Sequence, residues 1–314
     1  MVTITRAPIN YRIVVIAYLG FIALGLPGGL LGVAWPSMRD TFGIPSAALG
    51  TLLIASTTGY ILASMFNGRI VSRLGMGPAL LLASFLTTAG LLGFAFAPGW
   101  WLLVIMGLVL GVGQGILDAG MNLYFAKHFT PRLMNWLHAS FGLGAALGPL
   151  LMTVLFQIGQ SWQVGYIVMA VIQLALAVTF VATLREWHTD PVEERTETTA
   201  SAPSLTNSLR RPLVLASVAM FFAFTGIEAT TGNWSFTIFT ESRSIDIITA
   251  GQWVSLYWWS FTLGRLVFGF IADRIAVLTA VRACMWAVLG GTILFTLNAS
   301  DALSFIGLLV IGFA

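Results

Sequence analysis

Along almost its whole length the chain alternates long apolar stretches with short clusters of Gly, Pro, Asp, Lys and Arg. Nine stretches, at about 12–34, 47–66, 78–96, 100–125, 134–158, 163–184, 212–237, 249–272 and 279–298, are apolar enough to cross a bilayer. A helix rising 1.5 Å per residue needs roughly 20 such residues to span the hydrocarbon. A tenth stretch opens near Ala302 and reaches only Ala314, so the pattern predicts a helix 10 cut short of a full crossing. Polar residues inside the stretches are rare. The fourth carries a row of them in Gly111-Val-Gly-Gln-Gly-Ile-Leu-Asp-Ala-Gly-Met-Asn122. Gln114, Asp118 and Asn122 recur every four residues, which puts them on one helical face. A carboxylate facing lipid is costly, so this stripe is predicted to line a solute pathway.

Composition agrees with that pattern. The sequence is 58% hydrophobic and 9% charged with a mean hydropathy of +0.91, where a soluble domain carries about 25% charge. It reads as an all-α polytopic membrane protein. The first stretch follows Arg6 and Arg12, is too long for a signal-peptide core and has no convincing cleavage site, so it reads as a retained first helix. Cys284 is the sole cysteine, which excludes an internal disulfide and a cysteine metal cluster. His128, His138 and His188 have no metal-ligand spacing. No metal and no cofactor is expected.

The net charge of +3 belongs to membrane topology and not to nucleic-acid binding. Of 15 Lys and Arg, all but Arg39, Arg243 and Arg265 fall in alternate connections. By the positive-inside rule the N-terminus and the central loop are then cytoplasmic, in an inner-membrane protein whose surroundings are the lipid bilayer. The segment 185–211 is rich in Glu, Thr, Ser and Pro and reads as a cytoplasmic linker. It separates a six-helix bundle, 1–184, from a second, incomplete bundle, 212–314.

A repeat relates the two. Shifting the chain by 201 residues sets Gly68-x-x-x-Ser72-Arg73 on Gly269-x-x-x-Asp273-Arg274 without a gap. The same shift sets Gly25 on Gly226, Gly50 on Gly251, Gly90 on Gly291 and Gly111 on Gly312. Two parallel halves with a site near midplane between them are a recurring transporter plan. On that plan of twelve helices, the sequence ends about two and a half helices early.

These loops resemble the signature Gly-x-x-x-Asp-Arg-x-Gly of the major facilitator superfamily. The second copy has its acid at Asp273, and the first has Ser72 in its place. Within the superfamily the chain resembles the fucose permease type of sugar:proton symporter. The matching residues are Gly115-Ile-Leu-Asp118-x-x-x-Asn122, Asn135-x-x-His138, Gly226-x-Glu228 with Trp234, and Tyr257-Trp258 followed by Gly264-Arg265. The resemblance implies a major facilitator fold of two parallel six-helix halves and places Asp118 on the acid of the sugar and proton site. The helix-1 acid of that family falls on Gly32, four residues before Pro36, so a two-acid scheme does not carry over intact.

Asp118, Glu228 and Arg265 are the charges that lie clearly inside stretches. Asp118 is read as the proton-coupling acid, against a structural contact to His138. Glu228, among glycines and threonines, either replaces the missing helix-1 acid or caps a kink. Arg265, two turns before Asp273, is assigned to the gate with Gly68, Arg73, Gly269, Asp273 and Arg274 and not to substrate. Gln114, Asp118, Asn122, His138, Glu228, Asn233, Trp234, Tyr257 and Trp258 form the expected substrate site, in which indoles stack on the C–H faces of a sugar.

The expected activity is proton-coupled import of a monosaccharide or similar small polar solute by a monomer, with sodium as an alternative coupling ion. A competing reading is efflux of amphipathic compounds. It rests on Gly142-x-Gly144-x-x-x-Gly148-Pro149, similar to a motif of drug:proton antiporters, although Leu150, Leu151 and Met152 replace the glycines that usually follow. No nucleophile elbow or His-Glu-x-x-His appears, so an enzyme is not expected.

Overall fold

The computed structural model describes residues 10–187, 211–271, 274–297 and 300–314. Most of the expected linker, His188 and the signature-loop Asp273 lie outside the described residues. The described chain forms helices α1 (Tyr11–Phe42), α2 (Ala48–Leu74), α3 (Met76–Phe96), α4 (Trp100–His128), α5 (Pro131–Gln157) and α6 (Trp162–Thr183), then α7 (Pro212–Thr237), α8 (Ile247–Ile271), α9 (Val277–Thr296) and α10 (Asp301–Phe313). Nine of them are long and apolar enough to cross a membrane, among the described residues, and α10 is shorter. Helices satisfy every backbone polar group within one segment, which hydrocarbon demands.

Several elements run past the apolar stretches that announced them, α2 by eight residues to Leu74 among them. α1 begins on Asn10, whose side chain accepts the amides of Arg12 and Ile13, and ends at Gly43 in the left-handed region at φ 61°. It passes through Pro27 and Pro36 and carries Arg39 and Asp40 on its last turn, residues too polar for the hydropathy pattern to include. α7 continues into a π-helical turn, Ile238–Ser242, which carries Glu241.

Glycine seams hold the helices in pairs. On α1 and α5, a Cβ at Gly25, Gly29, Gly144 or Gly148 would collide with the backbone of the facing helix. The carbonyls involved include those of Phe141, Ala145, Ile22 and Leu26. Without a hydrophobic drive between helices in lipid, such close backbone approach is a main source of adhesion. α2 and α4 meet in the same manner, with Gly59 on the Leu108 carbonyl, Gly111 on that of Ser56 and Gly115 on that of Tyr60.

The repeat is visible in three dimensions. Tyr11 and Pro212, Met76 and Val277, and Trp100 and Asp301 each begin matching helices 201 residues apart. Gly312 of α10 sits on the Tyr257 carbonyl of α8 just as Gly111 sits on that of Ser56, and both partners differ by the same 201 residues.

Across the repeats, α5 lies against α8 and α1 against α7. The Ser255 hydroxyl donates to the Ala146 carbonyl at 2.8 Å, Gly251 accepts the Thr153 side chain, and Gly142 accepts Thr262. α1 and α7 meet on the side opposite the N-terminus, where Gly32 lies against the backbone of Gly232 and Asn233. Residues 212–227 of α7 are exposed apart from half-buried Val214, so the two helices part toward the N-terminal side.

Candidate functional site

The contact of Gly142 with Thr262 sets the level of the site. α5 and α8 run antiparallel there, so one turn toward the N-terminal side brings His138 and Arg265 onto facing helices. His138 is exposed to the cleft and lies within electrostatic reach of both Asp118 and Arg265. Phe21 of α1 meets the His138 ring edge-on, with centroids 5.8 Å apart.

Asp118 is held by both neighbours that helical geometry offers. The Tyr60 hydroxyl of α2 donates to Asp118 Oδ2 at 2.5 Å, and Asn122, one turn on, donates to Oδ1 at 3.1 Å. One turn the other way, Gln114 donates to the Leu24 carbonyl at 3.4 Å. The polar stripe of α4 therefore faces α1, α2 and the interior, as the four-residue spacing predicts. A charge-assisted bond from a phenol is strong, and it keeps a carboxyl oriented within the membrane.

Tyr60 is not among the residues that the sequence pattern points to. The signal was available in Ser56, Tyr60 and Ser64, which recur every four residues in α2 and form a second polar stripe. That stripe faces the α4 seam, where the Ser64 hydroxyl lies 3.5 Å from the Gly115 carbonyl.

A second polar group lies on the other repeat. Arg265 Nη2 stands 3.7 Å from Glu228 Oε2, and its guanidinium lies over the Phe261 ring at 3.3 Å. The Tyr257 hydroxyl donates to the backbone carbonyl of Glu228 at 3.3 Å. The sequence assigns Arg265 to the gate. Among the described residues its side chain lies back over Phe261 and approaches Glu228 inside the membrane, while Asp273 lies outside the described residues. Gly68, Arg73, Gly269 and Arg274 lie at the C-terminal ends of α2 and α8 or just beyond, and among the described residues a Cβ at Gly68 or Gly269 would meet nothing within 4 Å.

The other expected substrate residues are packed among α7, α8 and α10 of the second repeat. Trp258 is buried with its indole edge against Gly232, and Asn233 is buried with its amide donating to the Ala229 carbonyl at 2.8 Å. Tyr257 is buried in the α8–α10 contact, and Trp234 is half-buried against the core. Gly32, where an acid stands in the fucose permease type, has no room for a side chain, because a Cβ would strike the Gly232 carbonyl. The lack of a side chain there is what lets α1 approach α7.

The arrangement thus sets two carboxylates, one on each repeat, around a cleft, with His138 and Arg265 between them. Such groups can accept and release protons and can hydrogen-bond a hydroxylated solute. Among the described residues no cluster of three or more His, Cys, Asp or Glu could hold a metal ion.

Comparison with known proteins identifies the fold. The Major Facilitator Superfamily profile matches residues 17–314. The chain belongs to that superfamily. It is therefore a multi-pass membrane protein of a family of transporters and not of enzymes. It is 25% identical over 297 residues to bypass of stop codon protein 6 of Saccharomyces cerevisiae, across 85% of this chain and 60% of that protein. It is 23% identical over 267 residues to the glucose/mannose transporter GlcP of Bacillus subtilis, across 82% of this chain and 65% of that protein. The chain thus spans less than two thirds of the length of either relative. In structure it superposes on a D-xylose-proton symporter with a TM-score of 0.71 at 16% identity, covering 96% of this chain and 79% of the other. That likeness establishes the major facilitator fold.

Proposed function

We propose that the protein is a secondary active transporter that imports a monosaccharide or similar small polar solute together with a proton. One observation carries the reading: Asp118 lies in the membrane interior, hydrogen-bonded by Tyr60 and Asn122 and within reach of His138, which faces the cleft. An ionisable group at such a place is functional by default, and a carboxyl beside an imidazole can take up and release a proton. In this reading Asp118 and Glu228 couple the proton, while Gln114, Asn122 and His138 meet the solute. The names of the glucose/mannose transporter and of the D-xylose-proton symporter support the substrate class and the coupling ion.

The distribution of basic residues supports a cytoplasmic N-terminus and central linker in the inner membrane. On that orientation the described conformation is inward-facing, closed where α1 meets α7 and open on the cytoplasmic side. The halves 1–184 and 212–314 rock about the α5–α8 contact, joined by the linker 185–211. The glycine motif of α5 that suggested efflux serves the α1–α5 and α5–α8 seams, so it no longer favours an antiporter.

The test is uptake of labelled monosaccharides into proteoliposomes holding the full-length protein, with and without an inward proton gradient. Gradient-driven accumulation of one sugar that disappears in Asp118→Asn is the expected result. Accumulation driven by sodium alone, or uptake unchanged in Asp118→Asn, refutes the assignment.

A further inference from the structure

The second polar group has a chemistry that a neutral sugar does not require. Arg265 is a permanent cation inside the membrane, on the inner part of α8, and its side chain is 39% exposed. Its partner Glu228 approaches with one oxygen at 3.7 Å, beyond the length of a good hydrogen bond. A guanidinium offers five donors in a planar fork that suits two carboxylate oxygens at once. Among the described residues the fork is not filled by Glu228: one face rests on Phe261, and the charge lies within electrostatic reach of His138 on the facing helix. Stacking on an aromatic ring fixes the plane of the guanidinium and leaves its edge for another partner.

We propose that Arg265 is the recognition site for a carboxylate on the solute, so that the preferred substrates are anionic sugars such as hexuronates and aldonates, and that Glu228 is the group the solute displaces. The proposal rests on the reading of the protein as a sugar transporter and names its substrate class. The step balances in charge and atoms. Glu228 takes up one proton and its pair with Arg265 breaks; the solute carboxylate then takes Arg265. On release the proton leaves Glu228, and the pair forms again. One proton and one monoanion cross together, and transport is electroneutral.

The titratable groups around this pair fit that sequence. Tyr257 of α8 binds the Glu228 backbone from its own side. His138 of α5 faces Arg265, and Asp118 of α4 with Tyr60 of α2 lies beyond it. From α1, Gly32 presents no charge to this region. Arg265 is thus the permanent cation facing Glu228 among the described residues.

The experiment compares uptake of glucose, xylose, glucuronate, galacturonate and gluconate in proteoliposomes, with wild type, Arg265→Gln, Arg265→Lys and Glu228→Gln. Wild type is expected to accumulate at least one of the anions at least tenfold faster than its neutral parent, with no response to membrane potential. Arg265→Gln loses that preference, and Arg265→Lys keeps part of it. Glu228→Gln retains anion exchange between equal internal and external pools, which also shows that it is folded, and loses proton-driven accumulation. Neutral sugars carried as well as or better than the anions, with preference unchanged in Arg265→Gln, overturn the inference and leave sugar transport standing. Flux of neither class overturns both.

Discussion

Arg39, on the last turn of α1, and Glu241, in the π-helical turn that ends α7, form a two-pronged ion pair at 2.8 and 3.0 Å between the two repeats. The same guanidinium binds Asp40 at 2.7 and 2.9 Å and the Ser46 hydroxyl at 3.0 Å. One side chain thereby ties α1, the following loop and α7 at the closed side of the cleft. The Arg39 side chain is 20% exposed, whereas Glu241 is 39% and Asp40 67% exposed, so the network sits at the surface. An exposed pair contributes about 0.2–1 kcal/mol.

Breaking this tie is expected to shift the conformational equilibrium and leave the site intact. Arg39→Met and Glu241→Gln should each favour the outward-open form several-fold, and the double variant should do little more than either alone. The distance between spin labels at Ala47→Cys and Ser242→Cys, in a Cys284→Ala background, measures it. Additive effects of the two substitutions would refute a direct coupling.

Gly32 makes a different prediction about the same closure. Because its missing side chain admits the Gly232 backbone, Gly32→Val places a branched side chain where no space exists. Overpacking of this kind costs roughly 1–3 kcal/mol, borne only while α1 and α7 are in contact. The expected outcome is a longer label distance across the closed side and a loss of solute accumulation. Purified protein should keep its thermal stability, since the α1–α5 seam lies on other glycines. A fall in stability together with an unchanged distance would place the damage elsewhere.

Tyr60→Phe removes one hydroxyl from Asp118 and keeps the ring that packs beside it. Hydrogen bonds to charged groups contribute about 1.5–3 kcal/mol, so proton-driven uptake is expected to fall by roughly tenfold or more. Solute exchange at equal proton concentrations should be affected less. Initial rates in the two assay modes separate these effects, and equal losses in both would make Tyr60 a packing residue only.

Much of this architecture could be read from the chain before any coordinates. The apolar stretches, the 201-residue repeat and the stripe Gln114-Asp118-Asn122 follow from helical periodicity and the intolerance of hydrocarbon for charge. What escaped reading depended on contacts between distant segments. Tyr60 meets Asp118 across 58 positions and Arg39 meets Glu241 across 202, and neither pair has a local spacing. Arg265 and Glu228 stand 37 positions apart on different helices, so their approach likewise has no local spacing. The Trp258 indole against Gly232 is likewise a contact of α8 with α7 that no spacing within either helix announces.

The paired contacts of Gly111 with Ser56 and of Gly312 with Tyr257 carry a consequence for how this sequence can diverge. The two copies share one mechanical constraint, so a substitution rejected in one seam forecasts rejection at the matching place in the other. The side chains of α2 and α8 carry no such constraint. There Tyr60 corresponds to Phe261, and Ser64 to Arg265. An ancestral duplication would thus be remembered in the joints and erased around the solute, where each copy became free to acquire its own charge.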